Sequence, residues 1–181
     1  MASPTYPAHL TSEWRTPAGA RVTVRPIRPE DARVEEDFVK TLSPEARYFR
    51  FMSGIRELTP QMVARFTRID YERDMALVAI TGETGKDEKE VGVARYITDP
   101  DGTACEFAIV VADEWQRAGL GRYMLARLID VARVRGLVAM RGEILASNRG
   151  MLKLAEQMGF AITPSSSDPA LRRATLSLPR G

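Results

Sequence analysis

The sequence predicts an α+β fold built on a mixed, mostly antiparallel sheet of about seven strands flanked by helices. Three observations lead there. Short apolar or alternating runs recur between turn residues. Helix-start pairs, Ser43-Pro44 and Thr59-Pro60, punctuate the first third of the chain. A glycine-bearing loop at 116–121 joins an apolar run to a long helix-like stretch.

Residues 1–11 contain Pro4, Pro7 and the single histidine, His9, and lack periodicity, so they read as a flexible tail before one domain over 12–181. Residues 13–16 and 21–27, with Val22 and Val24 alternating and a Pro17-Ala18-Gly19 turn between, form a first hairpin. Pro29 suits the first turn of a helix over 30–42. Ser43 and Thr59 each precede a proline, and cap helices reaching about Met52 and Ile69. The apolar run 75–80 is a buried strand, and 90–97 is its partner across a charged turn. Asp99-Pro100-Asp101-Gly102 then turns the chain into a strand over 103–111. A helix over 122–135, a strand over 138–145, a helix over 148–158 and strands near 160–163 and 173–178 complete the order.

The 181 residues suit one domain, with 44% hydrophobic and 28% charged residues. No run approaches a membrane span and the N-terminus lacks the basic and apolar regions of a signal peptide, so the expected compartment is the cytoplasm. One cysteine, Cys105, and one histidine exclude an internal disulfide and argue against a metal site. A net charge of +2 does not suggest a nucleic-acid surface.

The loop Gln116-Arg117-Ala118-Gly119-Leu120-Gly121 stands at a helix N-terminus, where unpartnered N–H groups and the helix dipole favour an anion. It matches neither a Walker loop nor a dinucleotide fingerprint. Arg117, Arg122, Arg127, Arg133 and Arg135 follow on and after it, either as a solvated face or as attraction for an anionic nucleotide. Its pattern, Gln/Arg-x-x-Gly-x-Gly/Ala, resembles the acyl-CoA pyrophosphate loop of GNAT N-acetyltransferases. A second segment, Asn148 through Gly159-Phe160, resembles that family's Asn-x-x-Ala-x-x-Leu-Tyr-Glu-x-x-Gly-Phe helix. Here Met151 replaces the usual Ala, and Ala155 replaces the Tyr that commonly protonates the departing thiolate.

The resemblance covers about residues 20–178 and implies a sheet splayed at its central strands, with acetyl-CoA as acyl donor and no metal. It implies a pyrophosphate on Gln116, Arg117, Ala118, Gly119, Leu120, Gly121 and Arg122, and a pantetheine arm beside Ile109, Val110, Val111, Asn148 and Met151. The Ile109 N–H takes the oxyanion in this alignment, and Val111 bonds the pantetheine amide. Glu106 is the candidate general base, acting directly or through one water; the residues alone leave it equally an edge carboxylate paired with an arginine. Burial among Phe107, Ala108 and Ile109 would raise its pKa. A β-bulge could re-aim the strand face that Glu106 shares with Ala108 and Val110.

Further stretches, including 24–31, 42–51 and 69–77, resemble the catalytic domain of Pat-type bacterial protein lysine acetyltransferases. That implies a protein acceptor such as an acyl-CoA synthetase, by a monomer or homodimer, with a small amine or mere acyl-CoA sensing as alternatives. Arg47, Tyr48 and Arg50 either border the acceptor groove or simply pack a helix. Asp70, Glu72 and Asp74 are an acidic cluster that either receives a basic surface, serves as a reserve base or lies on a solvated turn.

Overall fold

A computed structural model describes residues 5–179. Its strands are β1 (Ser12–Arg15), β2 (Arg21–Pro26), β3 (Met75–Thr81), β4 (Lys89–Thr98), β5 (Ala104–Val111), β6 (Ala139–Leu145), β7 (Ala161–Pro164) and β8 (Leu171–Ser177). They form one sheet in the order β1-β2-β3-β4-β5-β6-β8-β7. Only β5 and β6 run parallel. The sheet has eight strands, one for each strand segment expected from the sequence and one more than the estimate of about seven, with the short β1 pairing along β2 as an edge strand.

The helices are α1 (Ala32–Thr41), α2 (Pro44–Phe51), α3 (Pro60–Thr67), α4 (Leu120–Val134) and α5 (Arg149–Gln157). Ser43 and Thr59 cap α2 and α3 by accepting from Ala46 N–H and Met62 N–H. The helix expected over 30–42 opens with a single 3-10 turn, Pro29–Asp31. There the Asp31 carboxylate accepts two bonds of 2.7 Å from the Arg25 guanidinium and one of 2.9 Å from Arg28 N–H, a buried fork that pins the turn to β2.

Alternation along β4 divides the layers. Gly92 and Tyr96 face α4: a methyl at Gly92 would lie 3.2 Å from Met124 Sδ, and the Tyr96 hydroxyl accepts from Arg135 at 3.1 Å. Arg95 faces the other way, donating to Glu35 of α1 and to Phe66 O at the end of α3. Leu120, Met124, Leu125, Leu128, Ile129 and Ala132 give α4 a continuous buried stripe at helical spacing.

The opposite face holds a buried polar cluster. Arg95 and Glu35 form an ion pair at 3.2 Å, and Glu90 is buried with no hydrogen-bond partner for either carboxyl oxygen. Burial and then the Glu35 charge push the Glu90 carboxyl well above its usual range. Arg50 and Arg95 lie over the Phe66 ring, at 5.6 and 4.6 Å from its centroid. Burial and then the Arg95 charge lower Arg50 to about 10, so it stays cationic at neutral pH.

The tail expectation is corrected over 5–11; residues 1–4 lie outside the described region. Tyr6 donates to Pro26 O at 2.7 Å, Leu10 O accepts from Arg127 at 3.1 Å, and Ala8–Leu10 forms a 3-10 turn. Pro7, read as a breaker, instead stands at the N-terminal end of that turn in a segment docked on the domain. Cys105 is fully buried, and burial raises its thiol to about 12, which fits an inert strand residue.

The parallel pair is short. β5 and β6 share three residue pairs, Ala104–Ala139, Cys105–Met140 and Glu106–Arg141, and then part. At the parting the Phe107 ring covers Gly142, where an added Cβ would meet ring carbons at 2.6–3.0 Å, and packs against Phe160 at 5.1 Å between centroids. Gly142→Ala should therefore cost about 1–3 kcal/mol of stability by overpacking; denaturant unfolding unchanged from wild type would refute this account of the wedge.

Glu90 generates a second expectation. Because its folded pKa lies above the unfolded value of about 4.3, the native state holds a proton that the unfolded chain has lost. Stability therefore falls as pH rises from that value through the raised one. Glu90→Gln should flatten this slope, gaining on wild type between pH 5 and 8 in urea titrations; parallel curves would mean that Glu90 does not titrate abnormally.

Candidate active site

Main-chain parity decides what the gap between β5 and β6 presents. Asp99 N–H donates to Ala104 O at one end of the β4–β5 ladder, and Ala112 N–H to Val91 O at the other, both at 2.8 Å. Bonded pairs alternate in an antiparallel ladder. The even-numbered residues of β5 thus bond to β4, and Phe107, Ile109 and Val111 turn their N–H and C=O groups toward β6, which has already diverged. Ile109 and Val111 have the free donors the sequence reading asked of them. Val110 does not: its backbone pairs with Val93, and its half-buried side chain lies on the face it shares with Glu106 and Ala108.

The loop that follows closes over the same strand end. Gln116 Nε2 donates to Val111 O at 3.0 Å, so Gln116 braces the loop by its side chain. Arg117 and Gly119 have φ of 62° and 97°, the left-handed region, and turns of this kind direct successive N–H groups to one side. For Arg117 that conformation is strained, as backbone at ligand sites often is. The first intrahelical bond of α4 runs from Tyr123 N–H to Gly119 O at 3.0 Å, leaving the N–H groups of Leu120, Gly121 and Arg122 without helical acceptors. Ala118 is half-buried between the two left-handed residues.

Helix α5 completes this end. Asn148 Oδ1 accepts from Met151 N–H at 3.2 Å and caps it, while Gly159, at φ 93°, follows its C-terminus. A Cβ at Gly121 would sit 3.6 Å from Leu154 and 3.7 Å from Val111, so β5, α4 and α5 converge there. Arg122 donates to Gln157 Oε1 at 2.7 Å, joining α4 to α5. Edge strand β1 also reaches the loop: Trp14 lies 3.7 Å from the Cβ position of Gly119, and Tyr123 donates to Ser12 Oγ. No residue pattern signals that contact, which depends on the hairpin folding across α4.

Glu106 lies on the other face. Its strand neighbour Ala108 pairs with Arg95, whose side chain points to α1 and α3, so Glu106, Ala108 and Val110 share that side. Glu106 is exposed rather than partly buried, because β5 has only short flanking cover at this position: Ile97 beside it is itself exposed. No ion pair holds it among the described residues; Arg141, its neighbour on β6, pairs with Asp99. The bulge falls on β4, around Val91, and the β5 register stays regular past Glu106. Glu106 is about 10 Å from Ile109 along the strand at 3.3–3.4 Å per residue.

Most of the arginines after the loop fasten the fold. Arg127 holds Leu10 O, Arg135 donates to Tyr71 O and Asp74 O, and Arg133 pairs with Asp130. Only Arg117 and Arg122 remain at the loop. Asp74 accepts from Thr98 N–H and Asp70 from Glu72 N–H, so both carboxylates brace main chain at turns. Helix α2 is tied to the end of β5 by Ser43, whose N–H and hydroxyl both donate to Asp113. Beside α2, Arg47, Tyr48 and Arg56 line an open cleft of about 500 Å³. Among the described residues no helix is long and apolar enough to cross a membrane, and no cluster could hold a metal ion.

A sheet opened after one short parallel pair, with a left-handed loop and the N-terminus of α4 at the opening and α5 packed beside them, is the architecture of an acyl-CoA-dependent N-acetyltransferase. The acetyltransferase (GNAT) domain model matches residues 21–161, and the chain belongs to that family. It is 38% identical over 160 residues to Acetyltransferase PA5475 of Pseudomonas aeruginosa, covering 87% of this chain and 86% of that one. It is 26% identical over 150 residues to Acetyltransferase Pat of Mycolicibacterium smegmatis, where it spans 82% of itself and only 42% of that longer protein. The GNAT domain of S. lividans PAT superposes with a TM-score of 0.85 at 27% identity, covering 96% of this chain and all of that domain. The protein is thus an acetyl-CoA-dependent N-acetyltransferase.

The free N–H groups at Ile109 and Val111 and the glycine-lined loop suit a pantetheine amide and a pyrophosphate. Gly119→Val forces a β-branched residue into the left-handed region, at a cost of about 1–2 kcal/mol. Coenzyme A affinity measured by calorimetry should fall roughly five- to thirtyfold, and an unchanged Kd would remove the loop from the binding site.

Proposed function

We propose that this chain moves the acetyl group of acetyl-CoA to the side-chain amine of a lysine on a protein acceptor, with an acyl-CoA synthetase as the leading candidate, and that Glu106 is the general base. The observation that carries this reading is Glu106 itself: an exposed, unpaired carboxylate three residues before the free Ile109 N–H on a strand that lines the gap. The likeness to two Pat proteins supports the protein acceptor.

Acetyl-CoA supplies an electrophilic thioester carbonyl when bound. Gln116 through Arg122 hold its pyrophosphate by main-chain N–H groups and the α4 dipole, Val111 N–H takes an amide carbonyl of the arm, and Asn148 and Met151 border that arm from α5. Ile109 N–H then donates to the thioester oxygen as negative charge grows on it, and one such fixed donor is worth about 2.7–4 kcal/mol. A lysine amine, with pKa about 10.4, costs roughly 4–5 kcal/mol to deprotonate at neutral pH. Glu106 accepts that proton through an intervening water. Ala155 offers no proton to the thiolate, so water protonates it.

Glu106→Gln should lower acetyl transfer to purified acetyl-CoA synthetase by about 10²–10⁴-fold while leaving coenzyme A affinity unchanged. Labelling followed from radiolabelled acetyl-CoA, beside a panel of free amines, checks this. Full activity in the variant would refute the base, label on small amines alone would refute the protein acceptor, and coenzyme A binding without transfer to any acceptor would point to a sensor.

A further inference from the structure

The structure assigns an acceptor class to this site: we infer that the face carrying Glu106 docks a protein segment whose lysine is flanked by acidic and apolar residues. The inference rests on the protein-acceptor reading above and adds the chemistry of the segment.

Charge is concentrated on this face. Residues 44–68, which form α2, α3 and the loop between them, hold five arginines against two glutamates, a net of +3, whereas the whole chain is only +2. The rest of the protein is therefore slightly acidic, and the positive field is local. None of the five, Arg47, Arg50, Arg56, Arg65 and Arg68, makes an ion pair among the described residues. Arg56 is exposed and makes no hydrogen bond within the described chain; Arg47 spends one nitrogen on Leu42 O at 2.9 Å. Arginines placed this way present planar forks for carboxylates.

The same face is unusually apolar between those charges. Among the described residues five large hydrophobic side chains are exposed, and three belong here: Tyr48 at 48%, Met52 at 38% and Ile97 at 58%. Ile97 sits directly opposite Glu106 on β4. Tyr48 also lines the 500 Å³ cleft with Arg47, Arg56, Pro44 and Ile55, a volume within the range of ligand clefts. Tyrosine, methionine and arginine together form the composition that protein interfaces enrich. The surface is also held in place, since Ser43 bonds α2 to Asp113 at the end of β5. A cleft lined by Arg47, Arg56, Tyr48 and Ile55 complements an acidic, partly apolar segment, whereas a basic segment would meet two guanidiniums without a carboxylate partner.

The test uses three lysine peptides with the same apolar residues and flanks of Asp/Glu, Ser or Lys/Arg, acetylated by the intact protein and by Arg56→Glu. The acidic peptide should show a kcat/KM about tenfold or more above the basic one at low salt, with the preference shrinking in high salt. Arg56→Glu should reduce that preference at least severalfold while the Ser-flanked peptide and coenzyme A affinity stay unchanged. Equal rates on all three, a preference for basic flanks, or a uniform loss in Arg56→Glu would each overturn the inference while leaving lysine acetylation standing. Transfer to free amines with none to any peptide would overturn the protein-acceptor reading, and this inference with it.

Discussion

β5 and β6 cannot stay together, and the rest of the molecule is organised around that separation. Their parallel pairing ends after Glu106 and Arg141, where the Phe107 ring takes the room that Gly142 leaves empty and locks against Phe160. Unpaired main-chain groups inside a sheet are costly unless another partner takes them. The separation therefore leaves N–H groups at Ile109 and Val111 that an extended amide-bearing ligand can satisfy, much as a strand would. The loop at 116–121 and the first turn of α4 come to the same opening, beside Leu154 of α5, so several main-chain N–H groups without helical acceptors are gathered at one place.

Alternation along β5 then separates two tasks. Odd-numbered residues turn their side chains toward α4 and α5 and pack: Phe107 on Phe160, Val111 near Gly121. Even-numbered residues face α1, α2 and α3, where Glu106 is open to solvent. In the proposed reading, donor-side and acceptor-side contacts would come from one strand without competing for the same side chains. A thioester held in the gap would be reached by the odd residues' backbone, and an incoming amine by the even residues' side chains.

The face that carries Glu106 rests on an ionic core that is not optimised for stability alone. Arg95 links α1 and α3 to β4 through Glu35 and Phe66 O, while Glu90 is buried beside them without a partner. Burying such groups is expensive. The arrangement holds α1 and α3 at a defined place on the sheet, and Phe66 supplies a ring against which the arginines stack.

Local chemistry made much of this legible from sequence. Capping pairs such as Ser43-Pro44, the glycine at 119, the cap at Asn148 and the alternation of β2 depend on near neighbours, so they could be read one segment at a time. The family pattern added Glu106, Ile109 and Val111 by alignment. Properties that depend on distant segments were not legible. The docking of residues 5–11 needed Pro26 O and Arg127; the exposure of Glu106 needed the absence of cover over Ile97; and the use of Asp70 and Asp74 in turns needed backbone from 24 residues away in the case of Thr98. The sequence by itself determined which segments become strands and helices and where an anion can be held. Only the tertiary structure decided which backbone groups go unpaired and which face each charge meets, because register, strand separation and burial are set by residues far apart along the chain.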